Sequence, residues 1–274
     1  MSELAVQIFQ TGTVGVDKAV PNRGVSKNPL AYIGLLRSPK NHITIPVKCF
    51  LIRHPSGQCL LVDTGWDKAV RTHPIQAITF PVWVASKPVL PKGQAIDERL
   101  ASVGLTPSDL SDVLMTHMDI DHDSGLALVK EAPHIYVSPE EIKALHSHQA
   151  GYVEKPYRGI PLTPIRWTGD YGPFHHSWDI FEDGSVIAFL TPGHSEGSLC
   201  IKVQRGSKFL LIVGDSGYNE DSWEHLNLPG PVYSKKDVLT TLSWIARQRK
   251  SPDCLTILCA HDPSEKTKPQ SFTL

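Results

Sequence analysis

The sequence predicts an α+β fold with β-sheets inside and helices outside. Strand-like apolar runs occur in both halves of the chain, and each half also carries helix-like stretches. No composition break marks a linker, so residues 1–274 read as one domain.

The elements follow in order. Residues 45–52 and 58–63 are apolar and β-prone, and the turn cluster His54-Pro-Ser-Gly57 separates them, which predicts a hairpin. Its second strand ends at Asp63-Thr64-Gly65, where glycine lets the backbone turn. Pro74, Pro81, Pro88 and Pro91 then punctuate an apolar stretch holding Ile78, Phe80, Val82, Trp83 and Val84. Prolines this frequent break regular helix, leaving either a lid with an apolar wall or an irregular connector packed on the core. Residues 97–103 predict a helix, with Ile96, Leu100 and Val103 on one face. Thr106-Pro107 suggests a helix cap. Residues 111–116 predict a strand.

A second helix starts at Ser138-Pro139, where Glu141 completes the spacing of a capping box. His146 and His148 fall at its far end, where a cationic imidazole is favoured. Residues 151–184 are rich in Pro, Gly and aromatics, and Tyr157, Trp167, Tyr171, Phe174 and Trp178 either cap a pocket or form a satellite core. Strands follow at 186–191, 199–203 and 209–213. A helix is expected at 235–248, with Val238, Leu239, Leu242, Ile245 and Ala246 on its apolar side, and a last strand at 255–259.

Composition narrows the function classes. A chain of 274 residues can bury a full core without staples. Its five cysteines are odd in number and lack CxxC spacing, which argues against a disulfide framework or a thiolate zinc site. They read as small buried hydrophobes in a reducing compartment. A formal net charge of -1 gives no broad field for nucleic acid or an anionic membrane. There is no signal-like start and no membrane-length apolar run, so a cytoplasmic protein is expected.

The chemistry lies elsewhere. His117, Asp119, Asp121 and His122 fall in one six-residue run, His117-Met-Asp-Ile-Asp-His122. His194, Asp215 and His261 each follow a predicted strand, in Thr191-Pro-Gly-His-Ser-Glu-Gly197, Gly214-Asp-Ser-Gly217 and Ala260-His-Asp262. A lone His or Asp after a strand is usually a turn or cap residue. Acids and imidazoles at alternate positions with a further imidazole next door are rare by chance, and the joint pattern points to metal. Imidazole and carboxylate supply the nitrogen and oxygen ligands that a pair of divalent ions needs at neutral pH. Such ions acidify water and polarise a substrate oxygen.

The pattern resembles the metallo-β-lactamase superfamily, whose signature is His-x-His-x-Asp-His followed by a His, a bridging Asp and a final His. The Asp63-Thr-Gly65 strand end resembles it too, and the likeness runs from about residue 45 to 262. It implies an αββα sandwich, two mixed β-sheets with helices on their outer faces. Within the superfamily the chain is most similar to N-acyl homoserine lactonases. Residues 45–52, 191–197 and 260–262 carry that likeness, as does Tyr218, three residues after Asp215.

The resemblance implies two divalent metal ions. His117, Asp119 and His194 would hold one, Asp121, His122 and His261 the other, and Asp215 would bridge. One residue departs from the family: Asp119 stands where a His is usual. The family's zinc is the expected metal. The extra carboxylate adds oxygen and negative charge, which suits manganese or iron and also allows a single-metal enzyme. The resemblance further implies a small-molecule lactone as substrate and a metal-bridging hydroxide that attacks its ester carbonyl. Tyr218 would hold the oxyanion and Asp121 would carry a proton to the leaving alkoxide. A quorum-quenching role and a monomer or homodimer complete the expectation. The alternatives are a thioester, lactam or phosphoester hydrolase on the same scaffold, a di-iron redox protein prompted by Asp119, and a non-catalytic metal-binding module.

Overall fold

The structure, a computed structural model, describes residues 3–34, 36–147, 152–264 and 271–274. Its strands are β1 (Ala5–Asp17), β2 (His42–Arg53), β3 (Cys59–Val62), β4 (Asp112–Leu114), β5 (Ile135–Val137), β6 (Thr163–Pro164), β7 (Ser177–Asp179), β8 (Val186–Leu190), β9 (Leu199–Arg205), β10 (Lys208–Ile212), β11 (Cys254–Leu258) and β12 (Ser271–Thr273). Its helices are α1 (Pro74–Ile78), α2 (Phe80–Ser86), α3 (Ile96–Ala101), α4 (Ile120–Asp123), α5 (Pro139–His146), α6 (Glu220–Glu224) and α7 (Lys235–Arg249).

Two sheets form, in the orders β12-β1-β2-β3-β4-β5-β6 and β11-β10-β9-β8-β7. Both are mixed. In the first, β3 to β6 run parallel while the β1–β2 and β2–β3 pairs are antiparallel. In the second, only the β10–β11 pair is parallel.

Side-chain alternation explains the layering. Phe50, Ile52, Leu60 and Val62 from one sheet meet Val186, Ala188, Ile201, Leu210 and Ile212 from the other in a shared core. Their neighbours face outward. Leu51, Leu61 and Val113 pack under α3 and α5 through Ile96, Leu100 and Leu145. Phe209, Leu211 and Val213 pack under α7 through Val238, Leu242 and Ile245. This is the αββα sandwich. Among the described residues no helix is long and apolar enough to cross a membrane.

Several local expectations need correction. The proline-rich stretch holds two short helices, because Pro74 and Pro81 sit in the first turns of α1 and α2, where a missing N–H costs nothing. The expected cap at Thr106 opens only a 3-10 turn, Pro107–Asp109. Leu239 points outward from α7 at 38% exposure. Strand β1 is absent from the sequence reading. Val6, Ile8, Val14 and Val16 do alternate, but a register shift between Gln10 and Thr13 breaks the period. Of the aromatics in 151–184, Trp167 and Trp178 pack on the inter-sheet core, Tyr157 under the first sheet and Tyr171 beside α7, so they extend three main clusters rather than form a satellite core of their own. All five cysteines are free and buried. His146 closes α5, while His148 lies outside the described residues.

Candidate metal centre

The site forms where strands end. β4 leads to His117, β8 to His194, β10 to Asp215 and β11 to His261. The His117–His122 run is not all loop. Asp119 is the N-cap of α4, and its carbonyl accepts from the N–H of His122 at 2.8 Å and of Asp123 at 3.0 Å. The helix therefore starts inside the motif. Just beyond it lies Gly125, where a Cβ would lie 2.4 Å from the carbonyl oxygen of Thr64. That close approach docks α4 on the end of β3.

The structure brings all seven sequence-singled residues into one cluster. Asp119 Oδ2 lies 3.0 Å from His194 Nε2 and 3.7 Å from His117 Nε2. His194 Nε2 is 3.9 Å from Asp215 Oδ2. Asp215 Oδ1 is 3.3 Å from His122 Nε2 and 3.2 Å from His261 Nε2. His261 Nε2 is in turn 3.4 Å from Asp121 Oδ2. Two triads emerge, His117–His194–Asp215 and Asp121–His122–His261, each with its ligand atoms within 4.8 Å of one another. Asp119 sits at the open side, its side chain 39% exposed.

The far ring nitrogens fix the tautomers. His122 Nδ1 donates to Asp63 Oδ2 at 2.8 Å, and His261 Nδ1 donates to the Pro46 carbonyl at 2.8 Å. A carbonyl can only accept, so in neutral His261 the Nε2 is a bare lone pair. The Asp63 carboxylate imposes the same on His122. These two lone pairs face each other at 3.3 Å, with Asp215 Oδ1 beside both. Three acceptors pointed at one another repel unless a cation or a proton lies between them. His117 Nε2 and Asp215 Oδ1 are, moreover, buried without a hydrogen-bond partner. The donor set thus fits divalent metal.

Without metal, protons take that place. Burial opposes charge on these histidines, but nearby carboxylates outweigh it. Asp119 and Asp215 raise His194 to about 9. Asp63 and Asp215 raise His122 well above the usual imidazole range, and Asp215 and Asp121 raise His261. Burial likewise works against the charge on Asp119 and Asp215, yet the surrounding imidazoles hold both carboxyls well below the ordinary range.

Tyr218 stacks on His261, ring centroids 5.3 Å apart at 21°. Burial and the Asp215 charge push its phenol well up, so it stays protonated. The ring belongs to an apolar cluster with Ile78, Ile120 and Val153, against which Val82 and Trp83 pack. Phe80 stands 58% exposed at the edge of that wall.

Two carboxylates beneath the site, Asp63 and Glu141, stand out in the sequence as a strand end and a helix cap but not as supports of the site. Asp63 is fully buried and also accepts from the Thr116 N–H and Oγ1–H, each at 2.8 Å. Its signal was visible, an acid closing an apolar strand. Glu141 does not close the capping box its spacing predicts. Ser138 caps α5, while the Glu141 carboxylate turns to other loops. Nothing in its spacing revealed that.

Residues 43–261 match the sequence profile described as the Metallo-beta-lactamase superfamily. The chain belongs to this superfamily. Among metallo-β-lactamase relatives it is 30% identical over 227 residues to the N-acyl homoserine lactonase AttM of Rhizobium radiobacter, covering 80% of this chain and 82% of that one. It is 29% identical over 196 residues to an N-acyl homoserine lactonase of Bacillus cereus, covering 68% and 70%. The fold is similar to the solved structure of an N-acyl homoserine lactone hydrolase with N-hexanoyl-L-homoserine bound at its catalytic metal center. That match has a TM-score of 0.77 at 19% identity and covers 98% of this chain and 97% of the other.

Proposed function

We propose that this chain is a metal-dependent hydrolase that opens the ester ring of a small lactone of the N-acyl homoserine lactone type. The observation that carries the reading is Tyr218, a protonated phenol stacked on His261 beside the converging Nε2 atoms and Asp215, in a chain 30% identical to a lactonase. His117, Asp119 and His194 would hold one divalent ion, Asp121, His122 and His261 the other, with Asp215 between them. Zinc is the metal we expect, and the carboxylate of Asp119 suits manganese or iron as well. When bound, the ions would acidify a water and polarise the ester carbonyl.

The protein groups do the rest. Tyr218 donates its O–H to the oxygen that gains charge as the carbonyl becomes tetrahedral. Asp121 is 15% exposed and 3.4 Å from His261 Nε2. It would take up the proton that the attacking water releases as it adds to the carbonyl, and pass that proton to the departing alkoxide as the ester C–O bond breaks. Trp83 and Val82 offer the acyl tail an apolar wall on the Tyr218 side.

The test is acid release, followed with a pH-sensitive dye, from homoserine lactones with short to long acyl chains and from simple γ-lactones. Protein stripped of metal and then reloaded with zinc, manganese or iron is compared. Turnover lost on stripping and restored by one metal is expected. No turnover with any lactone and any metal would refute the reading and bring thioester, lactam and di-iron chemistry forward.

A further inference from the structure

Glu141 is fully buried and accepts four hydrogen bonds. Oε1 takes the Met118 N–H at 2.9 Å and the Tyr152 O–H at 2.9 Å. Oε2 takes the Ser195 Oγ–H at 2.7 Å and the Gly197 N–H at 3.0 Å. Met118 lies between His117 and Asp119, and Ser195 follows His194. One carboxylate therefore joins the two segments that carry His117, Asp119 and His194. Among the described residues, none of its bonds reaches α4, Asp215 or the His261 segment.

The packing around it is close. Ser138 Oγ accepts from the Glu141 N–H at 3.1 Å and donates to the Gly197 carbonyl at 2.7 Å. A Cβ on Gly197 would lie 2.2 Å from both Glu141 N and Ser138 Oγ. The start of α5 is thus seated directly on the loop that follows His194.

We infer that Glu141 is a positioning residue for one of the two metal positions, that of His117, Asp119 and His194, where Asp63 also reaches His117 through the Thr116 hydroxyl, which accepts from His117 Nδ1 at 3.0 Å. The inference rests on the two-metal reading above. Its chemistry is specific to a carboxylate, which offers acceptors on both oxygens. In Glu141→Gln one oxygen becomes an NH2. The hydroxyls of Tyr152 and Ser195 can rotate, but the N–H groups of Met118 and Gly197 cannot. Whichever way the amide turns, one of those N–H groups faces another donor and one segment comes loose.

The experiment titrates metal-stripped protein with zinc ions against a competing chelator, with bound zinc counted after equilibrium dialysis. The parent is expected to take up two zinc ions. Glu141→Gln keeps one within about threefold of its parent affinity and weakens the other about tenfold or more, the usual cost of losing an outer-shell partner. Ser195→Ala, a milder change, shows a smaller loss at the same position. Glu140→Gln, altering an acid that bonds only Trp167 among the described residues, leaves both unchanged. Adding His261→Ala to Glu141→Gln removes the retained zinc, whereas adding His194→Ala does not. Equal weakening of both positions in Glu141→Gln and Ser195→Ala, or no weakening in either, overturns the inference. A parent that binds fewer than two zinc ions overturns the two-metal reading itself, and this inference with it.

Discussion

His122 Nδ1 donates to Asp63 Oδ2 at 2.8 Å, and both side chains are completely buried. That bond turns Nε2 of His122 toward Asp215 and His261. Asp63 reaches it from a backbone with φ of 60°, a left-handed conformation in which Asn and Asp are the best-tolerated residues after glycine.

Asp63→Asn keeps that backbone and tests the carboxylate alone. The amide nitrogen would face either the Thr116 N–H or the Nδ1 of His122. Facing His122, it donates and forces the proton onto Nε2, where a metal needs a lone pair. Zinc affinity is expected to fall about 10- to 100-fold while the fold persists. Chelator competition with circular dichroism checks it, and unchanged affinity would refute the tautomer argument.

Tyr218→Phe removes one O–H and keeps the ring on His261. If Tyr218 holds the oxyanion, kcat should fall about 100-fold, the scale for losing one preorganised donor. Metal content and thermal stability should stay at parent values. A change confined to KM would mean that the phenol binds ground-state substrate instead.

Metal-free protein should lose stability as the medium turns alkaline. His194, His122 and His261 have folded-state values raised above the ordinary 6.5, His194 to about 9. A raised value stabilises the fold fully below the unfolded value and less as pH rises through the folded one. The melting temperature of stripped protein should thus decline from pH 6.5 towards 9 and above. Zinc uptake should release protons over the same window, and apparent affinity should rise with pH. Calorimetry in buffers of different ionisation enthalpy measures the released protons. A flat melting profile with no proton release would remove the protonated cluster.

Much of this was legible in the chain. The hairpin from β2 to β3, the strands before His194, Asp215 and His261, and helix α7 all follow from short apolar, β-prone runs or helical period, which any short window displays. The dense run from His117 to His122 marked the chemistry, because apolar strand ends seldom carry so many ligating types. Strand β1 was hidden by its register shift, and β12, β5, β6 and β7 are too short to show a period.

The sequence alone determined the residue types that meet at the site and the alternation that buries two sheets against each other. Only the tertiary structure decided how those residues are held. Asp63 reaches His122 across 59 positions, Pro46 reaches His261 across 215, and Glu141 reaches Gly197 across 56. Spacing along a chain reports neighbours within a turn or a strand. A buried carboxylate takes its partners from whatever donors packing leaves beside it, so Glu141 could look like a helix cap and become the link between two loops.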